Sequence, residues 1–318
     1  MKTISLNQIR ETIAKSSQED LLQCIEEAFI ALSDGSATVP PVGHLGFTEP
    51  PGDMHIKYGH IQGDPYYVVK IASGFYQNQS MGLPNNNGLM LVFNAKTGLP
   101  ECLLQDEGYL TDLRTALAGA VAARHLGPKK IKAIGILGTG VQARMQLEML
   151  GWITDCKEVC IYGRSVDKAR QYQSDMTAQG FDVRLCESPA EVAAHSNLIV
   201  TTTASQTALL SAGDIRPGTH ITAMGADAPG KQELAPEILE KASLVACDSK
   251  NQCLHHGEIH FAIAKRLVEE GQVKEIGSLL KNPVHRQETD VTVADLTGIA
   301  TQDIKIASFV MSHFDSNQ

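Results

Sequence analysis

The sequence of 318 residues predicts an α/β protein in which a doubly wound parallel sheet is joined to a smaller α+β domain. After residue 130, strand-like and helix-like segments alternate, the pattern of a parallel sheet with helices on both faces. A glycine-rich turn, "GILGTGVQAR" at 135–144, opens this alternating part. Residues 54–104 instead contain short β-rich runs separated by Gly, Pro and Asn turns, which indicate an antiparallel sheet.

Composition and charge exclude several classes of protein. With 43% hydrophobic and 20% charged residues, the chain can bury ordinary globular cores and is not disordered. The net charge of −9, without a basic stripe, argues against nucleic acid as a partner. No signal-peptide core or membrane-spanning stretch is evident, so we expect no membrane partner and a cytoplasmic location. The seven cysteines are an odd number, several lie in apolar runs, and reduced thiols are expected.

The remaining elements follow from local patterns. Residues 1–17 predict a strand and an amphipathic helix, and residues 18–33 predict a second helix that ends before "SDGSATVPP". A linking helix is expected over 111–128, beginning at Thr and Asp capping candidates and ending at Gly-Pro. The tail after residue 290 reads as a strand and a helix that return to the first domain.

These elements predict two domains. Residues 1–122 with 290–318 are expected to form a substrate-binding and dimerisation domain, and residues 123–289 a dinucleotide-binding domain.

The glycine-rich turn has the sequence context of a Rossmann-type dinucleotide site. A strand, a G-x-G-x-x-A turn at Gly138, Gly140 and Ala143, and a helix follow in that order. Gly138 permits the tight turn, Gly140 lets the backbone approach a pyrophosphate, and Ala143 lets the helix pack on the strand. The alternative is a tight turn without a ligand. Ligands bind at the carboxyl ends of such strands, so the expected cofactor contacts are Gly138, Thr139, Gly140, Val141, Gln142, Ala143, Arg164, Ser165, Thr202, Thr203, Ala204, Met224 and Gly225.

The end of the second strand bears on which dinucleotide binds. An NAD site usually has Asp or Glu there, whereas "EVCIYGRS" ends in Gly163, Arg164 and Ser165. The Arg164 guanidinium can bind a 2′-phosphate, which favours NADP(H) while leaving NAD(H) possible. The alternative is an arginine that faces solvent.

Four segments together carry a family resemblance. The segments "VVKIASGF", "GYLTDLRTALAGAVAARHL", "GILGTGVQA" and "GADAPGKQEL" resemble the ornithine cyclodeaminase and mu-crystallin family. The similarity extends from about residue 54 to 310, so it covers most of the chain. It implies a nucleotide-binding domain, a dimerisation domain made from both chain ends, a homodimer, and a small α-amino or α-imino acid as the substrate.

The resemblance also implies roles for three residues. Lys70 and Arg114 match the family's ligands of the substrate carboxylate, and Asp227 matches its catalytic carboxylate; Lys70 is expected to contribute to catalysis too. The chemistry is reasonable, because a carboxylate needs fixed cations and a protonated imine needs a nearby anion. The alternatives are an ordinary strand lysine, a surface arginine on a helix, and a turn carboxylate.

Within the family, the 1-pyrroline-2-carboxylate reductases are the branch most similar to the segments "GDMHIKYG", "VVKIASGFYQN", "GLMLVF" and "GYLTDLRTALAGAVAA". That branch implies NAD(P)H-dependent reduction of 1-pyrroline-2-carboxylate to L-proline, and of 1-piperideine-2-carboxylate to L-pipecolate. The cyclodeaminase branch has an aspartate at the second strand end and an arginine before "GEI", where this chain reads "CLHHGEI". Alternatives are ornithine cyclodeaminase activity, reductive amination of the alanine dehydrogenase type, and a binding protein like mu-crystallin.

Three further residues are candidates for the wall of the substrate pocket. Asn85 occupies the segment in which relatives place a substrate-contacting Thr or Ser, and it is expected to replace that contact. His55 and Lys57 are expected to line the same pocket, and the alternative for both is the surface of the sheet.

A group of metal-ligand residue types occurs in "CLHHGEIH", namely Cys253, His255, His256 and His260. The order H-G-E-I-H is not the zinc-protease order H-E-x-x-H, and hydride transfer from a nicotinamide needs no Lewis acid. Helix packing or a pocket wall is therefore the preferred interpretation, and no metal is expected.

Overall fold

The structure, a computed structural model, describes residues 1–75 and 77–316, without the side chains of residues 79, 315 and 316. The chain divides into two compact units: the first combines Met1–Arg114 with the chain from Ile299 onward, and the second is Thr115–Gly298. These limits lie eight residues before and nine residues after the expected boundaries at 122/123 and 289/290.

The chain up to the linking helix is rich in strands. A short 3₁₀ helix also occurs at Asn78–Met81. The elements are β1 (Lys2–Ser5), α1 (Leu6–Lys15), α2 (Gln18–Ser33), β2 (Ala37–Thr38), β3 (Gly43–Thr48), β4 (Pro51–Ile61), β5 (Tyr66–Phe75), β6 (Asn86–Asn94), β7 (Pro100–Gln105) and α3 (Tyr109–Leu126).

The following part alternates strands and helices, as the sequence predicts. A second short 3₁₀ helix occurs at Glu270–Gln272. The elements are β8 (Ile134–Leu137), α4 (Val141–Leu150), β9 (Glu158–Tyr162), α5 (Val166–Ala178), β10 (Asp182–Leu185), α6 (Pro189–His195), β11 (Leu198–Thr201), β12 (Gln206–Leu210), β13 (His220–Ala223), β14 (Gln232–Leu234), α7 (Pro236–Lys241), β15 (Leu244–Cys247), α8 (Lys250–Cys253), α9 (Glu258–Ala264), β16 (Lys274–Glu275), α10 (Ile276–Lys281), β17 (Thr292–Asp295) and α11 (Ala300–Ser316).

The first unit is built on a seven-stranded sheet in the order β1-β7-β6-β5-β4-β2, with β3 paired to β4. Strands β4 to β7 are antiparallel, as expected for residues 54–104, and β1 joins β7 in parallel. One face packs beneath α11, which contacts α2, β4 and β5. Alternate residues are buried on that face, because side chains alternate across a strand; they include Val68, Met90, Val92, Cys102 and Leu104.

Local signals define the helices that cover this face. Helix α2 begins after Ser17, whose hydroxyl accepts the Asp20 amide at 3.0 Å, and it ends before Gly35, whose φ of 77° lies in the left-handed region. Its apolar stripe, which includes Leu21 and Phe29, is buried. The burial of this stripe fixes α2 against the core of the first unit.

The second unit contains an eight-stranded parallel sheet in the order β10-β9-β8-β11-β13-β17-β15-β16, with β12 and β14 as a separate pair. This confirms the doubly wound α/β fold. Strand order reverses on the two sides of β8, so the loops after β8 and β11 diverge and leave a crevice at the carboxyl edge.

The tail is divided in a way that the sequence did not predict. Residues 292–295 form β17 between β13 and β15 in the second unit, and do not return to the first; only α11 does so. All four residues of β17 are buried, as a central parallel strand requires. No helix among the described residues combines the length and the apolar character that crossing a bilayer requires.

Candidate functional site

The glycine-rich turn has the geometry of a phosphate-binding loop. Gly138 has a φ of 120°, and a Cβ placed there would lie 2.5 Å from the Thr202 hydroxyl, so no other residue fits without a shift. Gly140 precedes α4, and a Cβ there would meet nothing within 4 Å. The space beside Gly140 is therefore open at the N-terminus of α4, where amide groups and the helix dipole favour an anion.

Arg144 holds this turn in place. Its guanidinium donates to the Thr139 carbonyl at 2.6 Å and pairs with Asp175, also at 2.6 Å. A Cβ at Gly163 would collide with the Thr139 methyl group, so the two loops approach each other closely. Sequence reasoning missed Arg144; the signal was a cation in the first turn of a helix, where the dipole disfavours it and a specific partner is needed.

The end of the second strand exposes Arg164. Ser165 caps α5, and its hydroxyl accepts the Lys168 amide at 3.4 Å. The Ser165 side chain therefore has a structural role, and Arg164 is the cation at this strand end that is exposed to solvent.

A buried carboxylate joins the other two cofactor loops. Glu233 accepts hydrogen bonds from the Thr201 hydroxyl at 2.6 Å, the Thr203 amide at 2.6 Å and the Gly225 amide at 2.8 Å. Its burial raises its pKa, and the hydrogen bonds oppose that rise. Glu233 thus fixes the chain ends after β11 and β13, which bring together the predicted residues Thr202, Thr203, Ala204, Met224 and Gly225.

Further buried carboxylates line the same sheet edge. Glu258 accepts the amides of Glu233 and Leu234 at 2.6 and 3.0 Å, and Asp295 accepts the Ile259 amide at 2.9 Å. Burial raises the pKa of Asp295 to about 7 and that of Glu258 well above its usual range. Sequence reasoning assigned them no role, although an acidic residue within an apolar run such as "TVADL" indicates a specific buried partner.

Asp227 lies on the loop after β13, within three residues of Met224 and Gly225. Its carboxylate is 2.6 Å from the Lys231 ammonium, and 54% of its side chain is exposed. An exposed carboxylate on this loop is accessible to a ligand held at the carboxyl edge of the sheet.

The first unit contains a buried cluster of charges around Lys70. The Lys70 ammonium lies 2.9 Å from Asp303 Oδ1, and Arg114 Nε lies 3.1 Å from the same oxygen. Arg114 also donates from Nη1 to Gln302 Oε1 at 2.9 Å. The structure therefore brings the two predicted carboxylate ligands together around one aspartate. Asp303 and Gln302 were missed by sequence reasoning, because they lie in the first turn of a helix that reads as ordinary.

Cations outnumber carboxylates around Lys70: Lys57 and Arg114 are its cationic neighbours, and Asp303 and Asp106 are the nearby carboxylates. Burial lowers the pKa of Lys70 to about 7, against the attraction of Asp303. Burial opposes the ionisation of Asp303, but the charges of Lys70 and Arg114 outweigh it and lower its pKa. Within the described residues, Asp303 Oδ2 and Gln302 Nε2 have no hydrogen-bond partner. A buried excess of cations is costly unless an anion compensates for it, so the cluster is suited to binding a carboxylate.

The other predicted pocket residues lie at different positions along β4 to β6 relative to Lys70. Lys57 is directly opposite Lys70 in the β4–β5 ladder, and His55 is two residues further along the same strand face. Asn85 precedes β6, and its carbonyl accepts the Phe75 amide at 2.8 Å, five residues along β5 from Lys70. The structure thus places Lys57 and His55 on the face of Lys70, and Asn85 at the far end of β5.

The "CLHHGEIH" group is used in packing. Cys253 is buried, with its thiol 3.6 Å from Asp248 Oδ1, and a ring nitrogen of His260 lies 2.9 Å from the Leu254 carbonyl. All seven cysteines are free, and five of them are buried. This agrees with the expectation of reduced thiols.

A Rossmann-type unit with an open phosphate-binding turn, together with a unit that buries excess cations, defines an oxidoreductase that depends on a nicotinamide dinucleotide. The family model described as ornithine cyclodeaminase/mu-crystallin matches residues 3–318. The chain belongs to this family.

Individual relatives of known structure or sequence agree with that placement. An alanine dehydrogenase of Archaeoglobus fulgidus is 36% identical over 313 residues, covering 98% of this chain and 94% of the relative. A solved archaeal alanine dehydrogenase dimer with bound NAD is similar with a TM-score of 0.90 and 31% identity, covering 100% and 97% of the two chains. The Delta(1)-pyrroline-2-carboxylate reductase of Thermococcus litoralis, solved with NADH and L-proline, has a TM-score of 0.91 and 25% identity, covering 100% and 98%.

Proposed function

We propose that the protein reduces 1-pyrroline-2-carboxylate to L-proline with NAD(P)H, and that it also accepts the six-membered homologue. The bound dinucleotide would supply the hydride for the imine carbon, and the ring nitrogen would carry the proton of the product amine. The observation that carries the proposal is the buried cluster in which Lys70 and Arg114 share one carboxylate oxygen of Asp303. A substrate with one carboxylate compensates for the excess of cations in this cluster.

Lys70 and Arg114 bind the substrate carboxylate. Asp303 holds both cations by one oxygen, and Gln302 fixes the Arg114 guanidinium through Nη1, so their positions are set before substrate arrives. Preorganised cations bind and orient the carboxylate without further reorganisation, and orientation is a large part of the acceleration. His55 is assigned to the pocket wall on the face of Lys70, and Asn85, at the far end of β5, to the outer end of that wall.

Asp227 acts on the nitrogen. It carries a carboxylate on the loop that follows Met224 and Gly225, two residues assigned to the cofactor. A carboxylate beside the imine nitrogen stabilises the iminium and supplies or relays its proton, so that the carbon is electrophilic when hydride arrives. In the free enzyme the Asp227 carboxylate lies 2.6 Å from the Lys231 ammonium.

Reductive amination of a keto acid is the second candidate, because the alanine dehydrogenase of A. fulgidus is 36% identical to this chain. In that reaction Lys70 and Arg114 would bind the carboxylate of the keto acid, and the reduced imine would form from the keto acid and ammonia. Cyclisation of ornithine comes next, and a role in binding alone comes last.

A spectrophotometric panel distinguishes these activities. The purified protein is offered NADPH or NADH with pyrroline-2-carboxylate, with piperideine-2-carboxylate, or with pyruvate and ammonia, and NAD with ornithine. Oxidation of the cofactor with the cyclic imines is expected to exceed all other rates. A higher kcat/KM with pyruvate and ammonia would favour the second candidate, and no turnover with any substrate would favour binding alone.

The cofactor preference is expected to depend on Arg164. We expect the exposed guanidinium to pair with a 2′-phosphate in a charge-assisted contact worth about 1.5 to 3 kcal/mol, so NADPH should be preferred over NADH by roughly ten- to a hundredfold. Arg164→Asp should reverse this preference, because it removes the cation and repels the phosphate. The measurement is kcat/KM for both cofactors.

Arg170, which is also exposed and lies on α5, provides the matched control. Arg170→Ala should leave the ratio of the two cofactors unchanged. If the parent enzyme prefers NADH and Arg164→Ala leaves the Michaelis constant for NADPH unaltered, Arg164 is a surface residue with no role in selection.

A two-fold homodimer is expected, because the seven-stranded sheet has a second face that is apolar and only partly buried. This face opposes the one that bears Lys70, and 40% of Tyr58 is exposed on it. A contiguous apolar face of this kind is typical of an interface. Its residues are Ile56, Tyr58, Tyr67, Val69, Ile71, Leu89, Leu91, Phe93 and Leu103.

Light scattering should therefore give twice the 34.3 kDa of one chain at micromolar concentration. Val69→Glu, in the middle of this face, should shift the protein toward monomer. Leu99→Glu, at an apolar residue that is 64% exposed on the turn between β6 and β7, should not. A monomeric parent protein would contradict the prediction.

A further inference from the structure

Two histidines and an aspartate converge on the hairpin formed by β3 and β4. His44 on β3 pairs with His55 on β4, and the neighbouring pair on the same face is Gly46 with Asp53. Because side chains alternate along a strand, His44, Asp53 and His55 project from one face of the hairpin. The antiparallel ladder fixes their backbone positions relative to one another.

The ligand atoms of these residues are close together. One nitrogen of each imidazole and one oxygen of Asp53 all lie within 4.8 Å of one another. His55 Nε2 lies 3.6 Å from Asp53 Oδ1, and the centres of the two imidazole rings are 4.9 Å apart. At 3.6 Å, the contact between His55 and Asp53 is longer than a good hydrogen bond.

We propose that His44, Asp53 and His55 form a binding site for a divalent transition-metal ion of the zinc type. Two imidazole nitrogens and one carboxylate oxygen are a ligand set that zinc uses in proteins, whereas calcium and magnesium favour oxygen ligands alone. Three protein ligands leave a fourth coordination position for water or for an anionic group of a bound molecule.

The distances are compatible with a tetrahedral ion after small side-chain movements. Zinc bonds of about 2.0 to 2.2 Å place neighbouring ligand atoms about 3.3 Å apart. The atoms in the hairpin must therefore move together by less than about 1.5 Å. His44 is exposed, and the side chains of His55 and Asp53 are 38% and 28% exposed, so side-chain rotation can supply this movement.

Gly46 contributes to the space beside the three ligands. It stands opposite Asp53 on β3 and contributes no side chain to the face on which the ligands lie. A Cβ at this position would lie 3.6 Å from Cε1 of His44, in ordinary contact with the imidazole. The absence of a larger side chain leaves room beside the ligands for the ion and its water.

This site is separate from the "CLHHGEIH" group considered in the sequence, in which Cys253 contacts Asp248 and His260 contacts the Leu254 carbonyl. It does not depend on the proposed reductase activity either, because the test measures metal binding and not turnover. His55 also belongs to the expected wall of the substrate pocket. The experiment therefore measures zinc affinity and not enzyme activity.

Isothermal titration of the metal-stripped full-length protein with zinc chloride tests the proposal. One equivalent is expected to bind. The affinity should fall by at least about a hundredfold in His44→Ala and in His55→Ala, and by at least tenfold in Asp53→Asn. His60→Ala is the matched control: His60 lies on β4 but, by strand alternation, on the opposite face, and its loss should leave zinc affinity unchanged.

Cobalt(II) provides an independent readout of the ligands. Binding at two imidazoles and a carboxylate gives visible absorption without the intense near-ultraviolet bands of a thiolate ligand, and His44→Ala should abolish the visible bands. Circular dichroism establishes that each variant is folded. Zinc affinity that survives the double change His44→Ala with His55→Ala, or that disappears in Cys253→Ser, would overturn the proposal.

Discussion

Replacing Lys70 by methionine should lower kcat/KM for the cyclic imino acid by about a hundred- to a thousandfold while the protein stays folded. Methionine has nearly the same length and keeps the packing, but it removes one of two buried cations that bind the carboxylate, a loss of about 3 to 4 kcal/mol. In this variant the Asp303 carboxylate still has Arg114 as its partner at 3.1 Å, so it is not buried without a cation. Steady-state kinetics and a thermal unfolding curve measure the two effects.

The pH dependence of substrate binding tests whether the positive charge of Lys70 causes the loss of kcat/KM in the Lys70→Met variant. Burial lowers the pKa of Lys70 to about 7, so in the free enzyme the ammonium is charged below that pH and neutral above it. Carboxylate binding needs the charged form and should weaken as the pH rises through about 7. The Lys70→Met variant should lack this step. Equal pH profiles of KM for the parent and the variant, or near-normal kcat/KM, would remove Lys70 from substrate binding.

Asp227→Asn should lower kcat by about a hundredfold or more and leave the affinity for the cofactor unchanged. The amide is isosteric and keeps the loop after β13, but it cannot relay a proton or compensate for an iminium charge. Turnover and a fluorescence titration of the reduced cofactor measure the two quantities. Near-normal turnover would show that Asp227 is outside the mechanism.

Lys231 offers a matched control for this variant. Lys231→Met removes the partner that lies 2.6 Å from Asp227 but keeps the carboxylate. Since both side chains of the ion pair are partly exposed, its loss should cost little stability, and the variant should retain most of the turnover. A loss as large as that of Asp227→Asn would mean that Lys231 itself carries the effect.

The architecture could be predicted from the sequence because it depends on local periodicity. Alternating strands and helices predicted the parallel sheet, and the G-x-G-x-x-A pattern predicted the tight turn at Gly138, where the structure has a φ of 120°. The segment 292–295 was placed in the wrong unit, because a short apolar strand does not show which sheet it joins. Pairing between distant strands is set by packing and leaves no local pattern.

Only part of the charge cluster could be predicted, because its members come from distant parts of the chain. Lys70 was recognisable as a cation within an apolar strand, but Asp303, with which it pairs, is 233 residues further along the chain. In sequence, "TQD" at the start of α11 resembles an ordinary polar first turn; in the structure, Thr301, Gln302 and Asp303 are all buried. Glu233 was missed likewise, because its three hydrogen bonds come from two other loops.

The assembly of the first unit from two distant parts of the chain affects how it folds during synthesis. Arg114 is separated from Gln302 by 188 residues, so a ribosome adding about 5 to 20 residues per second takes roughly 10 to 40 s to produce the second partner. Throughout that interval Lys70 and Arg114 have been made, but the anion that they share has not. Burying them so early would leave the Arg114 guanidinium without Asp303 and Gln302. We therefore expect the nascent β-sheet to remain open around these residues until α11 emerges, and the continuous second unit to fold first.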